Sequence, residues 1–544
     1  MSPPQGLRPV PISADLARRL QAGRERLARA DLPGAADIAQ GLLRQNASFP
    51  EAWLLLCSAL IRMGSTDDDR ALADALAAIP VTHPLHSALA AERSRVLARR
   101  GRFNEAVDLA RLLEAHIRLS PRQHEVLSST YILSGLFEDG LRHASIAVTG
   151  LGFDRAASYN QALALRYLGK LDEAVAAFEK IIRAAPDFAL AYFSLADCRR
   201  WTSEHNHIAD LEQASKRPNI GRDDRAKLLY ALYKEYNDTG QHDRAWKALS
   251  EGAEILNALS PYDLAERTAY TEALIARFSG NLATPPGEAG GPVPIFIIGL
   301  PRSGTTLVER IFSAHPDVTD MGETHGFSLA IRDGARLSRF GELDTQCLKA
   351  MDSLDWQEVA KLYLRSLDYR RPATRFFTEK LPHNYHLVGP MRLAFPQARI
   401  VHVRRGPMDS LFGAYKVLFG EGSYLWSYRM EDLVAAYRLY RQITDHWRRE
   451  LGTGFIEVTL EALIADPETE IRALLDRTGL SFHADCLSPH MARGGVSTAS
   501  SAQVRQPINS QGVGAWRRHA AELEPMRRML EEEGFVDALG NPIW

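Results

Sequence analysis

Three glycines, Gly101, Gly135 and Gly169, stand 34 residues apart, and this spacing constrains the chain more than any other feature. They open Gly-Arg-Phe-Asn-Glu-Ala, Gly-Leu-Phe-Glu-Asp-Gly and Gly-Lys-Leu-Asp-Glu-Ala, so that a small residue (Ala106, Gly140, Ala174) follows each glycine by five positions. A further copy opens at Gly240, 71 residues on, or two periods plus three. Another opens at Ala30, 71 residues before Gly101. A fixed period of this length marks stacked supersecondary units. Apolar positions between the landmarks recur at helical spacing, as at Tyr159, Leu163 and Leu168, then Val175 and Phe178, and Pro186 stands where it stops a helix. Glycine permits a left-handed turn between two antiparallel helices, and the small residue lets them approach. Five to seven helical hairpins are expected, with the stretches near 64–90 and 200–235 departing from the pattern.

This period and residue pattern resembles the tetratricopeptide repeat. A solenoid of that kind does no chemistry itself but offers a concave surface, here expected to bind an acceptor or a peptide or protein partner. The alternatives are a pad beneath a catalytic domain or a dimer contact.

The 65 Lys+Arg against 67 Asp+Glu leave a net charge of −2, which excludes a strongly basic nucleic-acid binder. Four separate cysteines (Cys57, Cys198, Cys347, Cys486) form no Cys-x-x-Cys pair, so neither a disulfide framework nor a zinc site is expected, and a reducing compartment is. The opening Met-Ser-Pro-Pro-Gln-Gly-Leu-Arg lacks a signal-peptide apolar segment, and no apolar run is long enough to span a bilayer. A soluble, cytoplasmic protein without membrane insertion is expected.

Ser279 to Pro292 (SGNLATPPGEAGGP) has turn and linker composition. The expected division is a helical array over 1–280, a linker over 281–292 and an α/β domain with a central parallel sheet over 293–544.

That domain opens with a strand-like run, Val293 to Gly299, followed by Leu300-Pro-Arg302-Ser303-Gly304-Thr305-Thr306-Leu307 and a helix expected over 307–314. Gly299 and Gly304 have the spacing of a nucleotide phosphate loop, which aims backbone N–H groups and a helix N-terminus at phosphate. The usual lysine position holds Thr305, and Arg302 supplies charge from within the loop. No strand-ending aspartate for magnesium is expected from the sequence. A nucleoside triphosphatase needs both, so the loop suits a phosphate ester whose transferred group is not a γ-phosphate.

Pro-Arg-Ser-Gly-Thr-Thr-Leu after such a strand resembles the 5′-phosphosulfate loop of sulfotransferases, which use 3′-phosphoadenosine-5′-phosphosulfate (PAPS). The arginine form is most similar to protein-tyrosine and carbohydrate sulfotransferases. Further segments carry the resemblance over roughly 293–520. The run from Ala398 to Val403, then Arg404-Arg405-Gly-Pro-Met-Asp-Ser410, resembles the family's 3′-phosphate segment, in which Arg405 matches the phosphate clamp. The family's serine eight residues on is Gly413 here, leaving Ser410 or Lys416 as further donors. Ser500, Gln503 and Val504 fall where the closing segment of repeat-bearing bacterial and protein-tyrosine sulfotransferases touches nucleotide. Leu460 replaces a family tyrosine, and Ala515 replaces a basic residue before Trp516, so that Arg517 or Arg518 must supply that charge.

The resemblance implies a repeat-bearing bacterial sulfotransferase that moves a sulfuryl group from PAPS to a hydroxyl acceptor, protein tyrosine or carbohydrate. The implied donor-binding set is Arg302, Ser303, Gly304, Thr305, Thr306, Leu307, Arg405, Ser410, Ser500, Gln503 and Val504, with no metal. Glu323, in Gly322-Glu-Thr, matches the catalytic glutamate region, with His325 as a second base or substrate contact. Lys380, in Thr378-Glu-Lys-Leu-Pro, resembles the lysine that stabilises the leaving oxygen. Its neighbour Glu379 is the alternative base, as in enzymes that sulfate amino sugars. His383 and His386 are given no role. The competing readings are an ATP-dependent phosphotransferase, disfavoured by Thr305, and a non-catalytic repeat adaptor, kept open by Gly413, Leu460 and Ala515.

Overall fold

The computed structural model describes residues 13–280, 282, 291–337, 343–420, 422–492, 494–495 and 503–544. Most of the expected linker, and Ser500 of the expected donor set, lie outside the described residues.

The chain is helical from Ala14 to Phe278, with seven hairpins among the described residues and then the single helix Leu264–Phe278. The turn positions behave as the period requires. Gly101, Gly135, Gly169 and Gly240 have φ between 74° and 80°, and Ala30 reaches 61°. Ala106 and Ala174 are wholly buried, and a Cβ on Gly140 would stand 2.6 Å from Ile132 Cγ1. The sixth unit (Ala189–Ala196 and Ile208–Ser215) has short helices and an irregular connection between them, which accounts for the extra residues before Gly240.

The second region holds five parallel strands: β1 (Val293–Gly299), β2 (Val318–Asp320), β3 (Phe376–Lys380), β4 (Arg399–Arg404) and β5 (Phe455–Thr459), in the order β2-β3-β1-β4-β5. Central β1 is buried at every residue, as a strand covered on both faces must be. The helix after the phosphate loop runs Thr305–Ser313, two residues earlier than expected, so that the loop threonines form its first turn.

The hydrophobic core ignores the division seen in the sequence. One continuous cluster joins array residues such as Phe178, Trp201, Tyr230, Leu249 and Phe278 to Phe296, Phe327, Trp447 and Trp516 of the sheet region. The first two hairpins instead close on small cores of their own, around Leu42 and Leu55 and around Leu72 and Leu89. No described helix is long and apolar enough to cross a membrane.

Candidate active site

In an open parallel sheet, ligands gather at the carboxyl ends of the strands. All five ends meet here. β1 delivers the loop 300–304, β2 the Gly322–Thr324 turn, β3 ends on Lys380, β4 on Arg404 and β5 on Thr459, with Leu460 next in the chain.

The phosphate loop is held by close packing. A Cβ on Gly299 would fall 2.6 Å from Val403 O, and one on Gly304, at φ +102°, 2.7 Å from Leu460 Cδ1. Leu460 therefore serves as a packing surface beneath the loop. Thr305 and Thr306 are buried at the helix start and Leu307 half-buried, so the first helical N–H groups open above β1. Arg302 sits at φ +69° and donates from Nη2 to Gln503 Oε1 at 2.9 Å, tying the loop to the closing segment. Burial and the neighbouring Arg405 push its guanidinium down to about 10. Val504, next to Gln503, is buried.

Arg405 is braced by carbonyls. Its Nη1 donates to Arg302 O at 2.8 Å and its Nη2 to Gly512 O. Asp409 accepts from the backbone N–H groups of Gly514 (2.6 Å) and Trp516 (3.3 Å), which fixes the same closing segment to the helix Pro407–Tyr415. Arg517 lies over the Trp516 ring and bonds Asn541, while Arg518 approaches Lys416.

Ser303 Oγ, Ser410 Oγ and Arg405 Nε are buried with no hydrogen-bond partner among the described residues, and these three side chains border one pocket together with Leu300, Arg404 and Tyr440. Buried donors are normally satisfied, and leaving one unmade costs about 1–3 kcal/mol. Acceptor oxygens brought to this set would satisfy all three donors.

At Gly413, where the family serine is absent, the space for a side chain is tight. A Cβ there would stand 3.0 Å from Arg302 Cβ, so a serine side chain would have to displace the arginine stem by a few tenths of an ångström. Lys416 lies nearby over the Phe412 ring, and burial together with Arg302 and Arg405 pushes its ammonium down to about 7.

On the other side, β2 and β3 stay paired past their ends, through Met321 N to Thr378 O (3.1 Å) and Lys380 N to Gly322 O (3.0 Å). Gly322, at φ +70°, then turns the chain so that Glu323 Oε1 accepts from Lys380 Nζ. The Lys380 side chain is 1% exposed and that of Glu323 34%, so the carboxylate is the accessible member of the pair. Burial disfavours the Lys380 charge, but Glu309 and Glu323 outweigh it and hold its pKa above the usual value.

Glu379, the alternative base, lies apart from that pair. Successive strand residues face opposite sides, and its carboxylate enters a closed pocket. There it accepts from Thr324 Oγ1 (2.6 Å), Tyr363 Oη (2.6 Å) and Asn384 Nδ2 (2.9 Å). Burial outweighs these bonds and pushes its pKa up to about 7. Through Thr324 it anchors the residue beside Glu323. His325 lies where the Gly101 turn meets the domain, its ring 6.1 Å from that of His383. Glu309 and Tyr363 stand outside every motif of the sequence, and Glu309 alone of the two has a local signal, one helical turn beyond Thr305; Asp409 is the aspartate of the segment that carries Arg405.

The turns of three successive repeats abut this region. Cβ atoms on Gly101, Gly135 and Gly169 would lie 3.2 Å from Leu329, 3.1 Å from Arg370 and 2.5 Å from Arg505. Arg505 Nη2 also donates to Tyr167 O at 2.7 Å.

Residues 294–484 match the model of the sulfotransferase family. A protein of Aquifex aeolicus, named only as uncharacterized, is 27% identical over 387 residues. The match spans 68% of this chain but 49% of that protein, about half its length. Protein-tyrosine sulfotransferase 2 of Gallus gallus is 27% identical over 274 residues, 46% of this chain and 70% of that one. Among solved structures, a tetratricopeptide repeat protein from Parabacteroides merdae is 15% identical and covers 44% of this chain and 93% of its own, at a TM-score of 0.32. Residues 294–484 of this chain thus match the sulfotransferase family, with similarity to protein-tyrosine sulfotransferases, and they follow a region of helical hairpins.

Proposed function

We propose that the chain transfers a sulfuryl group from PAPS to a hydroxyl acceptor, a protein tyrosine or a carbohydrate, and that the repeat array helps to present that acceptor. The observation that carries this reading is the Glu323–Lys380 pair beside the phosphate loop, with the carboxylate accessible and the ammonium buried. Thr305, Thr306 and the helix N-terminus hold the phosphosulfate end of the donor, while Arg405, Ser303 and Ser410 have unmet donors for its remaining phosphate oxygens.

In the transfer, Glu323 takes the proton of the acceptor hydroxyl as its oxygen bonds to sulfur. The bond from sulfur to the donor's phosphate oxygen breaks, and the electron pair stays on that oxygen. Lys380 and Arg302 offset the charge that accumulates there. No residue in this scheme calls for a metal. The similarity to a protein-tyrosine sulfotransferase favours a tyrosine acceptor, and the array turns packed against His325 and Arg505 support a role for the array in presenting it.

Thermal melting tests the donor. Adenosine 3′,5′-bisphosphate is expected to raise Tm and ATP with magnesium to leave it unchanged, since a ligand stabilises only the state that binds it. The reverse pattern sinks the reading. Transfer of label from PAPS to a tyrosine peptide or to an oligosaccharide then identifies the acceptor class.

A further inference from the structure

Glu309 lies four residues after Thr305, one turn along the helix that opens the phosphate loop and on the same face. It is 5% exposed, and its Oε1 has no hydrogen-bond partner among the described residues. Its Oε2 is 3.6 Å from Lys380 Nζ, the same ammonium that donates to Glu323. One buried ammonium therefore serves two carboxylates. The exposed one can turn toward an acceptor, and the buried one has nowhere else to go. Asp320 and Arg310 are the other charges that act on this trio. Burial drives the Glu309 carboxyl well above its ordinary range in spite of Lys380, as expected where two carboxylates share one cation away from water.

We propose that Glu309 is a positioning residue that keeps Lys380 aimed at the leaving oxygen when Glu323 releases it to take the acceptor proton. The phosphate-loop helix then carries both the donor's cradle and the anchor of the charge-balancing lysine, so the two move together. The proposal rests on the sulfotransferase reading for the direction in which Lys380 acts, but not for the Glu309–Lys380 contact itself.

The test follows the ¹³Cε resonance of Lys380 against pH in lysine-labelled protein, assigned by its absence in Lys380→Met. Glu309→Gln is expected to lower the Lys380 titration midpoint by at least about one unit, because the variant side chain cannot carry the negative charge that opposes loss of the Lys380 proton. Glu309→Asp, which keeps the charge, is expected to stay near wild type. Turnover from PAPS should fall ~10-fold in Glu309→Gln while affinity for adenosine 3′,5′-bisphosphate stays within about twofold, a loss confined to the transition state. An unmoved midpoint in Glu309→Gln, or equal losses of affinity and turnover, overturns the proposal. If the midpoint moves while wild-type protein transfers no sulfuryl group to any acceptor class, the placement of Lys380 stands and the functional reading fails.

Discussion

On one side of the cleft, β1 and β4 end in side chains braced by backbone. Arg405 spans the carbonyls of Arg302 and Gly512, and Asp409 ties down Gly514 and Trp516. On the other side, β2 and β3 end in a charge pair of which one member is accessible. The braced side has its donors in place before any ligand arrives, as recognition of a fixed anion demands. The paired side holds its base in a contact that must loosen for chemistry to occur. Preorganisation thus serves binding on one side, and an exchangeable partner serves turnover on the other.

Four measurements can break or sharpen this contrast. The largest effect belongs to the paired side. Glu323→Gln and Lys380→Met should each reduce turnover by ~10²-fold or more while bisphosphate affinity stays near wild type, the usual scale of a lost general base or charge stabiliser. If calorimetry shows that either variant loses bisphosphate binding in proportion, the two sides are not separate.

Next comes the braced side. Arg302→Ala should cost ~10-fold in bisphosphate affinity, about 1.4 kcal/mol, from a lost charged hydrogen bond, with kcat at saturating donor changed much less. Unchanged affinity would remove Arg302 from the donor site.

Gly413→Ser is expected to weaken donor binding by a few-fold, because the added Cβ meets the Arg302 stem at 3.0 Å. Tighter binding would mean that the stem yields and the hydroxyl is used.

The smallest effect is a fraction of a proton. Lys416, pushed down to about 7 by burial and its arginine neighbours, is largely neutral in free protein at pH 8. A bound phosphate favours its charged form, so binding should take up about half a proton or more at that pH. Calorimetry in buffers of different ionisation enthalpy reads this uptake, and Lys416→Met should abolish it. Uptake that persists in the variant assigns the proton elsewhere.

Much of this architecture was legible in the chain itself. The 34-residue glycine spacing announced the hairpins because a left-handed turn leaves few other residues free to occupy it, and Gly101, Gly135 and Gly169 all adopt that turn. The strand, loop and helix around Arg302 were readable because their signals are local. What escaped depends on contacts between distant segments. The sequence does not show that the Arg302 stem stands against Gly413, or that Thr324, Tyr363 and Asn384 surround the Glu379 carboxylate. Glu309 reads as an ordinary helix-surface glutamate until β3 brings Lys380 to it. The proline- and glycine-rich stretch before β1 marks a boundary, but composition along a chain carries no information about which apolar faces meet across it.

The core shared by the later hairpins and the sheet bears on how the molecule comes apart. A repeat array alone can fray unit by unit, each hairpin contributing its own increment. Here the units from Phe178 to Phe278 are locked to Phe296, Phe327 and Trp447, so they should exchange their amide hydrogens only when the whole sheet opens. The hairpins around Leu42 and Leu72 lack that attachment and should exchange earlier. The chain is accordingly graded from a loose end to a rigid one, and the rigid end is where the repeats stop behaving as repeats.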